Sequence, residues 1–212
     1  MPEILLKLVL GYLAGSVVGS LVVGRVRGID IRNLGSGNAG GTNALRTQGK
    51  GFALAVVLID VLKVVLPVVF LTGAALPGVG VDAAIARETV QVAIATGAVL
   101  GHVWPLYFGF RGGKGMATLL GAYGAIQPAL LGVVVLAWAL LFVLRGYVGL
   151  ATLFAAAMAP VWLAATGQSG RPLFWFALLM AGFVAWTHRS NIARMRDGKE
   201  TRMFPGLLGR RR

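Results

Sequence analysis

The sequence predicts an all-α polytopic membrane protein: seven transmembrane helices, two of them short, with the N-terminus outside and the C-terminus in the cytoplasm. Three observations carry this reading: charge is scarce, apolar runs follow one another along the chain, and basic residues gather in alternate connections. Of the 212 residues, 57% are hydrophobic and 13% are charged. Soluble domains carry about 25% charged residues, so much of this surface must face lipid. The 31 glycines fit the same picture, because small residues let membrane helices approach closely.

The apolar runs are 4–24, 51–73, 86–103, 116–127, 129–144, 147–167 and 172–187. A full span needs about 20 residues. After Lys7 the first run is uninterrupted from Leu8 to Gly24 and leads directly into basic, Gly-rich sequence, so it is expected to be a retained span and not a cleaved signal. The stretch 116–144 is too long for one straight span, and Gln127-Pro128 divides it, because proline cannot continue the hydrogen-bond ladder. Orientation follows from charge. Arg25, Arg27, Arg32, Arg46 and Lys50 mark the first connection as cytoplasmic, and the basic stretch from Arg189 marks the C-terminal end likewise. The connection 74–85 has Asp82 and no base, which puts it outside. If the two short helices only dip into the bilayer, five full spans remain and parity is unchanged. The chain reads as one integral-membrane domain, 1–212, with 203–212 as a flexible basic tail.

The net charge of +13 comes from 20 Lys and Arg against 7 Asp and Glu. With the basic residues lying between apolar runs, anionic lipid headgroups and an anionic substrate are the expected partners, and nucleic acid is not. There is no cysteine, which excludes thiol catalysis and thiolate metal sites. The acids are scattered and His102 and His188 lack zinc-site spacing, so neither a metal nor a cofactor is expected.

Three motifs hold the polar chemistry. In Leu34-Gly-Ser-Gly-Asn-Ala-Gly-Gly-Thr-Asn-Ala-Leu-Arg46, glycines free the backbone to form an anion-binding concavity. Ser36, Asn38, Thr42 and Asn43 add neutral donors, and Arg46 can grip a phosphate with two prongs. In Gly101-His-Val-Trp-Pro-Leu-Tyr-Phe-Gly-Phe-Arg-Gly-Gly-Lys-Gly115, bare backbone N–H groups and Lys114 precede a helix start, a ready anion site. In His188-Arg-Ser-Asn-Ile-Ala-Arg-Met-Arg-Asp-Gly-Lys-Glu200, helical spacing puts His188 and Asn191 on one face, which suits a short helix at the membrane surface. Asp60 and Lys63, three residues apart inside the second span, are expected to form a structural ion pair. An anion transporter and a lipid-binding scaffold remain the alternatives from other functional classes.

With these motifs in this order, the chain resembles the bacterial acyl-phosphate:glycerol-3-phosphate acyltransferases of the PlsY type. The resemblance rests on Gly35–Asn43, Gly101–Pro105 with Phe110–Gly115, Arg189–Arg194 with Gly198–Glu200, and Asp60-Val-Leu-Lys63. It implies an inner-membrane enzyme that moves a fatty acyl group from acyl phosphate to the 1-position of glycerol 3-phosphate. The products would be lysophosphatidate and inorganic phosphate, the active site would be cytoplasmic, and a separate enzyme would supply the acyl phosphate. It further implies Ser36, Arg46, Lys114, Asn191 and Arg194 as ligands of glycerol 3-phosphate. Asn38, Thr42, Asn43, His102, Gly112, Gly113 and Gly115 would bind the acyl phosphate. His188, Asn191 and Lys114 fall at catalytic positions, and the proton acceptor is left open between His188, His102 and a substrate phosphate. The chain departs from the family pattern in carrying Gly149 where a serine is common and Arg111 where a lysine is common.

Overall fold

The structure, a computed structural model, describes residues 1–207. Among them every regular element is helical, and the chain divides into two compact units, Met1–Ile126 and Gln127–Arg212. The first unit contains α1 (Pro2–Gly15), α2 (Gly19–Val26), α3 (Gly41–Gln48), α4 (Lys50–Leu71), α5 (Arg87–Val103) and α6 (Met116–Ile126), with 3-10 turns at Ile31–Asn33 and Leu106–Phe108. The second contains α7 (Pro128–Arg145), α8 (Val148–Ala165), α9 (Pro172–Thr187) and α10 (Arg189–Arg196). Five stretches are long and apolar enough to cross a membrane: Pro2–Val26, Lys50–Leu71, Arg87–Phe108, Pro128–Arg145 and Val148–Ala165. Two further apolar helices, Met116–Ile126 and Pro172–Thr187, are shorter.

Close backbone approach organises the first unit. Gly11 and Gly15 on α1 face Gly97 and Gly101 on α5. A methyl group at Gly11 would strike the Ile94 carbonyl, at Gly15 that of Ala98, at Gly97 that of Leu8 and at Gly101 that of Tyr12. Helices in lipid gain little from apolar burial against each other, so such small-residue contacts carry the association. The long α4 buries Phe52, Ala53, Val56, Asp60, Lys63, Val64 and Val68. Its other side exposes Leu54, Leu58, Leu62, Leu66, Val69 and Phe70, an apolar stripe at helical spacing that fits lipid.

The first apolar run, expected as one helix, is broken at Ser16–Val18. The Ser16 hydroxyl donates to the Tyr12 carbonyl (2.9 Å) and accepts the Leu106 N–H (3.2 Å), while Val18 is extended. The break frees the Gly19 N–H at the start of α2, and this donates to Asp60 Oδ1 at 3.0 Å. A carboxylate is favoured at a helix N-terminus, where unpaired N–H groups and the helix dipole converge. The interruption is therefore satisfied by an acid in the second span.

A second buried pair was not legible as such. Lys7 is fully buried and donates to Glu3 Oε1 (2.6 Å) and to the Thr72 carbonyl (3.0 Å). Glu3 Oε2 accepts the Asp82 N–H at 2.8 Å. The pair ties α1 to the end of α4 and to the connection before α5. Removing one partner leaves the other's charge unmatched, so Lys7→Met is expected to lower the melting temperature. Glu3→Gln with Lys7→Met should restore most of this in a thermal melt. Equal melting of the single and double variants would refute the coupling.

In the second unit, prolines open α7 and α9 at positions where a missing N–H costs nothing. Gly146, at φ +75°, turns the chain between α7 and α8. The indole N–H of Trp138 donates to the Thr152 hydroxyl at 3.2 Å. Residues 203–207, assigned to the tail by the sequence, lie against α7. The Met203 N–H donates to the Gly146 carbonyl (2.9 Å) and the Leu207 N–H to that of Val143 (3.0 Å). The Phe204 ring meets Phe142 edge-on at 5.0 Å. The rest of the expected tail, 208–212, lies outside the described residues.

Candidate functional site

The first unit holds two of the three motifs as adjoining loops. Arg32 joins them. Its guanidinium is held by Asp30 (2.7 Å) and donates to the carbonyls of Phe108 (2.9 Å) and Arg111 (3.1 Å). Hydrogen bonding from Arg32 holds the Asp30 carboxyl below the usual carboxylate range. The sequence showed Arg32 only as one of several basic charges in the first connection; the Phe108 and Arg111 carbonyls it reaches lie too far along the chain to be seen there.

Asn43 shapes the first loop from within. It is buried, its Oδ1 accepts the Ser36 N–H (3.0 Å), and its Nδ2 donates to the carbonyls of Leu34 (2.9 Å) and Ile31 (3.2 Å). The side chain expected to donate to acyl phosphate thus ties together the backbone that carries Ser36. Gly35, at φ +56°, admits that amide, because a Cβ there would strike Asn43 Oδ1. Ser36 is exposed at the tip, Asn38 lies against Gly40, Thr42 is in the first turn of α3, and Arg46 is exposed in its last turn.

The second loop is tied to the end of α5. The Gly112 N–H donates to the Val103 carbonyl and the Gly113 N–H to the His102 carbonyl, both at 3.1 Å. These two N–H groups, expected to face an anion, are thus hydrogen-bonded to α5. The two glycines serve close approach: a Cβ at Gly112 would strike the His102 carbonyl, and one at Gly113 the His102 ring and the Ala39 carbonyl. Lys114, half-buried, and Gly115, at φ +89°, then lead into α6. Next along the chain come the Lys114 side chain and the N–H groups of the first turn of α6.

The ion pair expected between Asp60 and Lys63 is present at 2.9 Å, and both residues are buried. Lys63 Nζ also lies 2.7 Å from His102 Nδ1.

The third motif belongs to the second unit, where α10 follows α9 at His188. His188 is buried and its Nδ1 lies 2.8 Å from the Val184 carbonyl. A carbonyl only accepts, so Nδ1 carries the hydrogen and Nε2 is the acceptor of the neutral ring. Glu200 gathers two expected ligands: Asn191 Nδ2 donates to its Oε1 (2.7 Å) and Arg194 Nε to its Oε2 (2.6 Å). Glu200 was quoted within the motif but given no role. Its signal was an acid closing a strongly basic segment. Gly149 lies beside Asn191, where an added Cβ would come within 3.1 Å of the amide.

Comparison with known proteins gives one answer. The family described as glycerol-3-phosphate acyltransferase matches residues 5–198. A glycerol-3-phosphate acyltransferase of Methylorubrum populi is 40% identical, over 95% of this chain and 94% of its own length. One from Aquifex aeolicus is 35% identical, over 93% of this chain and 98% of its own. Among solved structures, the integral membrane glycerol 3-phosphate acyltransferase PlsY (YgiH) in its glycerol 3-phosphate form superposes with a TM-score of 0.81. Its identity is 31%, over 95% of this chain and 96% of that one. The same protein in its lysophosphatidic acid form gives 0.79, at 30% identity and 97% of each chain. With its apolar helices, its adjoining glycine-rich loops and this likeness along almost its whole length, the chain belongs to the glycerol-3-phosphate acyltransferase family of integral membrane proteins.

Proposed function

We propose that the protein transfers a fatty acyl group from an acyl phosphate to the 1-position of glycerol 3-phosphate, releasing lysophosphatidate and inorganic phosphate. The observation that carries this is the pair of glycine-rich loops fastened side by side through Arg32, bearing Ser36, Arg46 and Lys114, in a chain of this family. The forms in which the solved relative was captured support it.

Each phosphate group carries about −1.5 to −2 charges near neutrality, and two must be brought together. Arg46 and Lys114 oppose their repulsion, with Ser36 on glycerol 3-phosphate and Asn38, Thr42 and the first turn of α6 on the acyl phosphate. Asn191 and Arg194, braced by Glu200, add polar groups for glycerol 3-phosphate. An acyl phosphate is a mixed anhydride. The glycerol hydroxyl oxygen bonds to the carbonyl carbon, the bond from that carbon to the phosphate oxygen breaks, and phosphate leaves with the electron pair. Orientation of the two reactants alone can supply up to about 7–11 kcal/mol. The hydroxyl proton passes to His188 Nε2 or to a substrate phosphate oxygen. His102 is a poor acceptor, because Nδ1 already accepts from Lys63 and Nε2 then holds the ring hydrogen.

In this reading the chain crosses a bacterial inner membrane seven times, with α6 and α9 as the short crossings in place of the pair 116–127 and 129–144 that the sequence suggested, and with its N-terminus outside and its loops and C-terminus in the cytoplasm. A separate enzyme supplies the acyl phosphate.

The test offers purified protein labelled glycerol 3-phosphate with palmitoyl phosphate or with palmitoyl-CoA, without added metal. Lysophosphatidate from the acyl phosphate alone is expected. Product from the thioester alone would overturn the donor, and no product from either would overturn the reaction.

A further inference from the structure

The first span, the second span and the end of α5 are joined by a line of polar contacts, and the ring at its end packs against the phosphate loops. The start of α2 donates through the Gly19 N–H to Asp60 Oδ1 at 3.0 Å. The same oxygen accepts from Lys63 Nζ at 2.9 Å. Lys63 Nζ reaches His102 Nδ1 at 2.7 Å. Beyond the ring, His102 Nε2 lies against Gly113, with the Ala39 carbonyl of the first loop beside it. All three side chains are buried.

An ammonium has hydrogens to give and no lone pair to receive with. At 2.7 Å from Lys63, His102 Nδ1 is therefore the acceptor, and the ring hydrogen sits on Nε2, the atom turned toward Gly113. Asp60 lies farther from Nδ1, at 3.4 Å, and would take the ring hydrogen only if Lys63 withdrew. Gly113 immediately precedes Lys114, and its N–H is bound to the His102 carbonyl. The ring thus buttresses the loop from behind while the backbone holds it from one side.

We infer that Asp60 and Lys63 are positioning residues for the phosphate loops: together they hold His102 as the Nε2–H tautomer wedged under Gly113, and so set where Lys114 stands. This deepens the acyltransferase reading and rests on it for its kinetic consequence, but not for its structural one. The pair does more than hold helices together. Replacing it with a neutral pair that keeps the helices packed leaves a folded protein whose loop is misplaced.

The experiment has two arms. The chain contains only two histidines, so His188→Gln leaves His102 as the sole imidazole in a 15N NMR spectrum of histidine-labelled protein. The expected state is Nε2–H with Nδ1 unprotonated, shifting toward Nδ1–H when Asp60→Asn and Lys63→Met are added. An Nδ1–H ring in the presence of Lys63 would overturn the inference whatever the protein's activity. In the second arm, kinetics are measured with His188 intact, on Lys63→Arg and on the Asp60→Asn, Lys63→Met double variant, which avoids an unpaired buried charge. The double variant is expected to raise the KM of a phosphorylated substrate by about tenfold or more, with kcat less affected and the melting temperature kept. Lys63→Arg, which retains a donor, is expected to recover most of the loss. Unchanged KM values in a folded double variant with an altered ring would overturn the inference. Absence of acyl transfer in the unmodified protein would sink the functional reading, and the spectrum would still decide the tautomer.

Discussion

Arg46→Ala and Lys114→Ala are each expected to lower kcat/KM for acyl transfer by about 10²–10³-fold, the effect of removing one preorganised charge from an anionic transition state. Neither side chain is among the buried residues of the core. Arg46 is exposed in the last turn of α3, and Lys114 is half-buried in the connection to α6. Their loss should leave the melting temperature in detergent nearly unchanged, which separates a chemical role from a structural one. The conservative changes sharpen the assignment. Arg46→Lys keeps the charge but not the planar fork, and should recover only part of the rate if the phosphate is gripped by two prongs. Lys114→Arg places a larger group behind a loop whose glycines already touch α5, and should recover less than its charge implies. Initial rates with palmitoyl phosphate and labelled glycerol 3-phosphate decide the matter. Activity within a few-fold of the unmodified protein for both alanine variants would show that the phosphates are bound elsewhere.

The helices were largely legible because lipid imposes a one-dimensional rule: apolar runs of sufficient length become helices, and Pro128 and Pro172 mark where two of them begin. What stayed hidden was long-range. Nothing local distinguishes Ser16–Val18 from the residues around it. The break is stabilised by Leu106 and Asp60, 90 and 41 residues away. Lys7 read as a flanking charge, yet it is fully buried because Glu3 and the Thr72 carbonyl take its hydrogens. At the site, residue types were readable and their division of labour was not. Donors such as Asn43, Gly112 and Gly113 look like ligands in a sequence, but the fold commits them to the backbone. Arg32 and Glu200, taken as charge, turn out to hold other residues in place.

Gly97→Leu is expected to abolish the folded first unit. Gly97 faces α1 so closely that even a methyl group would strike the Leu8 carbonyl and come within 2.8 Å of the Tyr12 N–H nitrogen. Backbone atoms cannot swing aside as the end of a side chain can, so α1 and α5 must separate along their length. That separation opens Gly11, Gly15 and Gly101, whose contacts share the interface. Inserting even small groups into a packed core costs about 1–3 kcal/mol, and here four contacts are lost together with no hydrophobic gain from lipid to offset them. The comparison is Gly132→Leu on α7, where a Cβ meets nothing within 4 Å; this variant should melt close to the unmodified protein. Equal melting of the two leucine variants would show that the α1–α5 contact is looser than the backbone geometry requires. The same interface reaches the chemistry through its last member. Gly101 immediately precedes His102, and a Cβ there would press on the Tyr12 carbonyl and the Ser16 N–H nitrogen. Gly101→Ala should therefore displace the end of α5, and with it the His102 and Val103 carbonyls that hold Gly113 and Gly112. Its expected signature is a larger fall in acyl transfer than Gly97→Ala produces at a similar loss of stability. That difference would arise only if helix packing at one end of α5 sets the position of the loop at the other side of the same turn.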